Sequence, residues 1–406
     1  MAVNLPAPTD VAPVKGVRLG ATGAGIKRTD RDDLLVIAID PGATTAGVFT
    51  RSSFRAAPVR ICESHLVVPG IRALVVNSGN ANAATGEPGH ADALAICDAV
   101  AAAVGCRREE VLPFSTGVIG QRLPVDRMVA AVPAAVANLT SDGWLRAAHA
   151  IMTTDTVAKA RSRAFELDGV RCTASGICKG AGMIKPDMAT MLAYVATDAA
   201  VAAPLLRDLT RWIADRSFNR VTIDGDTSTN DSFIVIASGA SGATQIASEA
   251  DPRFPVLREE MLSLAGDLAQ SIARDGEGAT RFVTVEVIGA RDDEEAKRVA
   301  FTIAESPLIK TAMFAGDPNW GRFCMAIGRA GVADLDTRGV SLFLDDVCVA
   351  RGGMISTDYS EEAGATVMAR PEYRVLVDLS RGHGRDRVWT CDFSYDYVKI
   401  NAEYRT

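Results

Sequence analysis

Over roughly its first 290 residues this 406-residue chain alternates short apolar runs with longer amphipathic ones, and that alternation limits the fold more than any other feature. Leu34–Ile39 and Ala73–Val76 are too short for buried helices and end in polar or glycine-containing turns, so they read as strands. Pro88–Val104 brings Leu94, Cys97, Ala101 and Val104 to one side at helical spacing. Asp142–Ala150, opened by Ser141 and Asp142, reads as a second helix with an N-terminal cap. Leu205, Leu206, Leu209, Trp212 and Ile213 share one helical face; Leu257, Met261, Leu264, Leu268 and Ile272 share another. Phe282–Ile288 alternates with period two, with Val283, Val285 and Val287 on one face. Beyond Gly289 the pattern is smaller: a helix near Glu294–Ala304, then strands near Val340–Leu344, Tyr373–Leu379 and Arg387–Phe393. The expectation is an α/β (α+β) protein with a catalytic core over residues 1–289 and a smaller domain over 290–406.

Composition removes several function classes. Hydrophobic residues make up 48% and charged residues 23%, so the chain can bury a core. The net charge of −7, with no Lys/Arg-rich run, argues against nucleic acid or an anionic membrane as the main partner. Residues 1–13 lack the cationic start and apolar stretch of a secretory signal, and no run approaches the ~18–20 apolar residues of a membrane span. The eight cysteines are scattered, and the four histidines have no companion at zinc-like spacing. These features lead us to expect reduced thiols, a cytoplasmic location, no metal and no resident cofactor.

Glycine-rich segments invite a nucleotide reading and fail it. Gly16–Lys27 (GVRLGATGAGIK) does not follow the G-x-G-x-x-G order, and Lys179–Gly182 (KGAG) lacks the frame of a P-loop. Asp224–Ser232 (DGDTSTNDS) is rich in oxygen but has Val235 where a calcium loop needs its final Glu, so it reads as a hydrogen-bonded loop shaping a site. Two other segments carry chemistry. In Ile177–Asp198, Ala189 precedes Thr190 just before the strand-like run Met191–Val195. A Thr hydroxyl needs a base, and a Thr that becomes a chain's first residue carries one in its own α-amine. A Thr starting a buried strand is more often explained by β-branched packing alone. Pro113–Gly120 (PFSTGVIG) sets the hydroxyl of Thr116 beside Gly117, which suits an oxyanion hole or an ordinary turn.

At this point the chain resembles the ornithine acetyltransferase (glutamate N-acetyltransferase) family of arginine biosynthesis. The resemblance rests on ordered motifs: VNSGNANAATG (76–86), STGVIG (115–120), IMTTDT (151–156), KGAGMIKPDMATML (179–192), SFNRVTIDGDTSTNDS (217–232), GEGAT (276–280), KTAMFAGDPNWGR (310–322) and YVKINAEYRT (397–406). It departs modestly at Thr45–Arg51 (TAGVFTR) and around Lys185–Asp187. The resemblance implies an αββα-type sandwich, shared with certain self-processing aminopeptidases. It implies autocleavage between Ala189 and Thr190, giving an α chain of 1–189 and a β chain of 190–406, two of each per assembly. Thr190 is then the acetyl-accepting nucleophile, and Thr116 with Gly117 the oxyanion pair. Substrate contacts map onto Thr153, Lys179, Thr190, Glu277, Asn401 and Thr406. The substrates would be N-acetylornithine and glutamate, with acetyl-CoA as an optional second donor. Two other readings fit such a chain: an amidase whose acyl-enzyme is attacked by water, and a binding protein without turnover.

Overall fold

A computed structural model describes residues 2–185 and 191–403. In it the short apolar runs become strands buried on both faces. The first nine, in chain order, are β1 (Val17–Thr22), β2 (Leu34–Ile39), β3 (Thr44–Phe49), β4 (Ala73–Asn80), β5 (Val111–Val118), β6 (Lys159–Leu167), β7 (Val170–Lys179), β8 (Leu192–Thr197) and β9 (Ser232–Ala237). They form two sheets, in the orders β1-β2-β4-β5 and β3-β9-β8-β7-β6. β4 pairs with β5 and β8 with β9 in parallel, while the remaining neighbours are antiparallel.

The period of two sorts each strand between two cores. Leu35, Ile37, Leu74 and Val76 meet Ile177, Leu192, Tyr194, Ile234 and Ile236 between the sheets. The intervening residues Leu34, Val36, Ala73 and Val75 face outward, under α2 (Gly86–Val104) and α3 (Val125–Ala137). On the far side Ala193, Val195, Phe233 and Val235 pack under α5 (Ala203–Arg216) and α6 (Phe254–Arg274). The layers therefore run helix, sheet, sheet, helix: an αββα sandwich. Two further helices, α1 (Ala57–His65) and α4 (Trp144–Ala150), complete this part. The expected cap of α4 by Ser141 or Asp142 does not form, because Gly143 is its N-cap and no side chain caps it. A Cβ at Gly143 would stand 2.3 Å from the Leu19 carbonyl oxygen, and this close approach of β1 sets where the helix starts.

A third sheet has the order β13-β12-β11-β14-β10-β15. Its strands are β10 (Phe282–Ala290), β11 (Ser341–Leu344), β12 (Val347–Arg351), β13 (Met354–Ile355), β14 (Glu372–Asp378) and β15 (Gly384–Cys391). It packs against α7 (Asp293–Ala304), α8 (Pro307–Ala315), α9 (Trp320–Gly328) and α10 (Glu361–Met368). The sheet begins at Phe282 rather than after residue 289, since Val283, Val285 and Val287 are buried in its core. Phe282 itself packs into the outer core of the sandwich, so β10 joins the two parts. A last helix, α11 (Tyr395–Ala402), returns toward the sandwich. Among the described residues no helix is long and apolar enough to cross a membrane.

Tyr194 is an irregularity in the inter-sheet core. Its ring meets Phe114 edge-on at 5.2 Å, but its buried hydroxyl has no hydrogen-bond partner. An unsatisfied buried polar group costs about 1–3 kcal/mol. Tyr194→Phe keeps the ring and removes that cost, so it is expected to raise stability by about 1 kcal/mol in denaturant unfolding. A loss of stability would show that the hydroxyl has a partner in solution.

Candidate active site

The site is built where β5 ends. β4 and β5 run parallel up to Gly79 and Gly117, and there the register shifts at Asn80. Gly117 has φ of +132°, and a Cβ on it would lie 2.2 Å from the Gly79 carbonyl carbon. Only glycine fits that approach. The asparagines of the VNSGNANAATG segment hold the turn. Asn77 accepts from the Ser115 hydroxyl at 2.6 Å and donates to the Asn80 carbonyl at 2.8 Å. Asn230 Nδ2, from the loop before β9, donates to the carbonyls of Ala81 at 2.6 Å and Ser115 at 2.8 Å. Buried polar groups thus fix the Thr116–Gly117 backbone from both sheets.

Thr116, Gly117, Thr153, Lys179, Glu277 and Asn401 line one cavity of about 280 Å³. Lys179 Nζ donates to Thr116 Oγ1 at 3.1 Å. An ammonium has no acceptor, so the Thr116 hydroxyl accepts here and its own proton can be donated into the cavity. On the opposite wall Asn401 Nδ2, from α11, donates to Glu277 Oε2 at 2.8 Å. Gly182 lets that carboxylate in, since a Cβ there would stand 2.4 Å from Glu277 Oε2. The structure therefore brings together six of the residues singled out in the sequence. Ala189, Thr190 and Thr406 lie outside the described residues. The connection that contains Ala189 and Thr190 has fixed ends, because Lys179 and Leu192 are paired in the β7–β8 register. The Asp224 carboxylate accepts from the Met183 and Ile184 amides at 2.6 and 2.8 Å, so the DGDTSTNDS loop anchors the start of that connection.

Beneath the cavity lies a group of buried charges that sequence reasoning missed. Lys159 Nζ stands 2.6 Å from both Asp155 Oδ1 and Asp275 Oδ2, and the three side chains are at most 1% exposed. Asp155 also accepts from the Thr153 amide at 3.0 Å and the Gly180 amide at 2.8 Å, which locates Thr153 and the residue after Lys179. Asp275 accepts from the Thr156 amide and hydroxyl and from the Val157 amide. Burial pushes the Asp155 carboxyl up, but Lys159 and Lys179 outweigh it and hold the group below the usual carboxylate range. Burial also lowers the Lys179 ammonium from its ordinary value, against the opposing pull of Asp155, Asp231 and Glu277. Asp231 is another missed residue: burial raises its carboxyl well above the usual range, and its Oδ2 has no hydrogen-bond partner. Asp155 and Asp231 fall within motifs quoted above, but nothing in the sequence connects Asp275 to Lys159.

A cavity of this size, with one cationic and one anionic side chain facing it, suits a small molecule that carries charges of both signs. The ArgJ family model matches residues 18–406, and the chain belongs to that family, the ornithine acetyltransferases of arginine biosynthesis. Among solved structures, the arginine biosynthesis bifunctional protein argJ of Bacillus halodurans is 36% identical, matching 50% of this chain and 95% of its own, with a TM-score of 0.49. The ornithine acetyltransferase of Mycobacterium tuberculosis, solved with ornithine, is 38% identical over 43% of this chain and 93% of its own, with a TM-score of 0.38. An l-aminopeptidase d-ala-esterase/amidase from Ochrobactrum anthropi is 14% identical over 68% of this chain and 90% of its own, with a TM-score of 0.38.

Removing one partner of a buried ion pair costs about 3–5 kcal/mol, because the remaining charge is stranded. Lys159→Met leaves both Asp155 and Asp275 unpaired, and is expected to lower the unfolding free energy by at least that amount. Equilibrium denaturation checks it, and a change below about 1 kcal/mol would mean that the two carboxylates are satisfied without the lysine.

Proposed function

We propose that this chain transfers the acetyl group of N-acetylornithine to glutamate through an acetyl-Thr190 intermediate, after cutting itself between Ala189 and Thr190. The observation that carries the reading is the convergence of Thr116, Gly117, Lys179 and Glu277 on one cavity. Lys179 is also the last residue of β7, from which the connection that contains Thr190 starts.

Activation would begin with Thr190 Oγ attacking the Ala189 carbonyl carbon. The C–N bond then breaks and the nitrogen takes the hydroxyl proton, which frees the Thr190 α-amine; water then hydrolyses the resulting ester, releasing the Ala189 carboxylate and restoring the Thr190 hydroxyl. Such an amine has an ordinary pKa of ~7.7–8.0, close to neutrality and suited to general-base work. In the first half-reaction it takes the Thr190 hydroxyl proton as Oγ attacks the acetyl carbonyl. The Gly117 N–H and Thr116 O–H receive the oxyanion. Collapse breaks the amide bond, the proton passes to the leaving nitrogen, and ornithine departs. Glutamate's amine then attacks the acetyl ester by the reverse sequence and leaves as N-acetylglutamate. Lys179 and Glu277 supply charges of both signs for the carboxylate and ammonium groups of the substrates. The reading includes an assembly with two copies of each piece, which sedimentation of the processed protein tests.

Denaturing mass spectrometry should find two fragments that join at Ala189/Thr190, and a single intact chain for Thr190→Ala. A wild-type enzyme that is active and uncut overturns the activation step. Thr116→Ala should lower kcat for acetyl transfer on the order of 10²-fold. Free acetate released at the same rate with and without glutamate would favour a hydrolase instead. Burial lowers the Lys179 pKa, so its cation is lost on the alkaline side at a pH below the ~10.4 of an ordinary lysine. The alkaline limb of kcat/KM should therefore lie below that value, and Lys179→Arg, whose charge persists, should move the limb up. A limb that stays in place would show that another group sets it.

A further inference from the structure

The acetyl-transfer reading leaves the glycine-rich segment Gly16–Lys27 without a role, and it raises an electrostatic problem. One nucleophile must serve a donor with a cationic tail and an acceptor with an anionic tail. Glu277 faces the site cavity and suits the first, but it repels the second. The structure holds a second cavity, of about 220 Å³, lined by Lys27, Arg28, Arg31 and Ile400 and sharing Gly117 and Thr153 with the first.

This second cavity is a built feature. The Asp33 carboxylate accepts from the Ala24 and Ile26 amides, both at 2.6 Å, so its charge is committed to holding the loop that carries Lys27 and Arg28. The loop sits on Gly79, where a Cβ would come within 3.0 Å of Lys27 Cβ. Arg31 Nη2 donates to the Met152 carbonyl at 2.6 Å and to Ser78 Oγ at 3.3 Å, which fixes its guanidinium in the wall. Arg28 pairs with Asp30 at 2.8 Å, but both side chains are more than 60% exposed, and an exposed pair of this kind gives way readily to a better-placed anion. The lining thus has three cations and one carboxylate that is already engaged, in a chain whose net charge is −7.

We propose that this second cavity is a subsite for the distal carboxylate of the acyl acceptor. Resting on the acetyl-transfer reading above, the assignment sorts the two substrates by tail charge: the donor's ammonium toward Glu277 and Asn401, the acceptor's carboxylate toward Lys27 and Arg28. Gly117 lies on the wall common to both cavities, so with either substrate the acetyl carbonyl oxygen can meet the same oxyanion donor.

Steady-state kinetics of wild type and Lys27→Met/Arg28→Met test the assignment, with glutamate and glutamine as acceptors and N-acetylornithine as donor. Loss of a charge-assisted contact should raise KM for glutamate on the order of tenfold. KM for glutamine and for N-acetylornithine should move about twofold or less, and Lys27→Arg alone should keep the glutamate preference. Equal rises for both acceptors, or for the donor, overturn the subsite. So does a loss seen only with acetyl-CoA and absent with an unphosphorylated acetyl thioester, because the cavity would then serve the carrier's phosphates. A wild type that acetylates glutamate, paired with a variant of unchanged glutamate KM, overturns the subsite alone. A wild type that transfers no acetyl group overturns the underlying reading and the subsite together.

Discussion

The arrangement depends most on the ammonium of Lys159 held between Asp155 and Asp275 in the dry interior. Charges buried this deeply are tolerated only when paired and hydrogen-bonded, and the geometry meets both conditions. The pairing fixes β6, where Lys159 starts the strand, to the end of α6, beyond which Asp275 lies. Through the two backbone amides that Asp155 accepts, it also holds Thr153 and Gly180 beside the cavity. Fold and site are therefore supported by the same three side chains.

Backbone approach shapes the rest of the cavity. At Gly79, Gly117 and Gly182 the absent side chain is what lets a neighbouring chain segment or a carboxylate come close. The asparagine ladder of Asn77, Asn80 and Asn230 then satisfies the main-chain groups that such an irregular turn leaves without strand partners. Rigid elements thus carry Thr116 and Gly117, while Glu277 and Asn401 arrive from a loop after α6 and from α11.

Much of this was legible in the sequence, for identifiable reasons. A short continuous apolar run located β2, period two located β10, and helical spacing located α5 and α6, because each buries apolar side chains along its length. Thr116, Gly117, Thr153, Lys179, Glu277 and Asn401 were found through motifs, and their convergence on one cavity is a property of the fold. Other features were hidden. No local pattern connects Lys159 with Asp275, more than a hundred positions away, since a buried ion pair leaves no periodic trace. The start of α4 was misplaced because a tertiary approach, β1 against Gly143, overrode the local capping signal. The limit of the third sheet was set by which core receives Val283, Val285 and Val287, and alternation alone does not say that.

The strand order of the second sheet has a consequence for a molecule cut in the β7–β8 connection. That sheet runs β3-β9-β8-β7-β6, so strands from before and after the connection are interleaved. β8 and β9 would come from the later piece, inserted between β3 and the β7–β6 hairpin of the earlier one. Main-chain ladders on both sides would hold the pieces together in place of the lost covalent link, and neither piece would own the whole of that second sheet. Separation would then amount to unfolding, and halves made apart would have to fold around each other rather than dock as finished bodies.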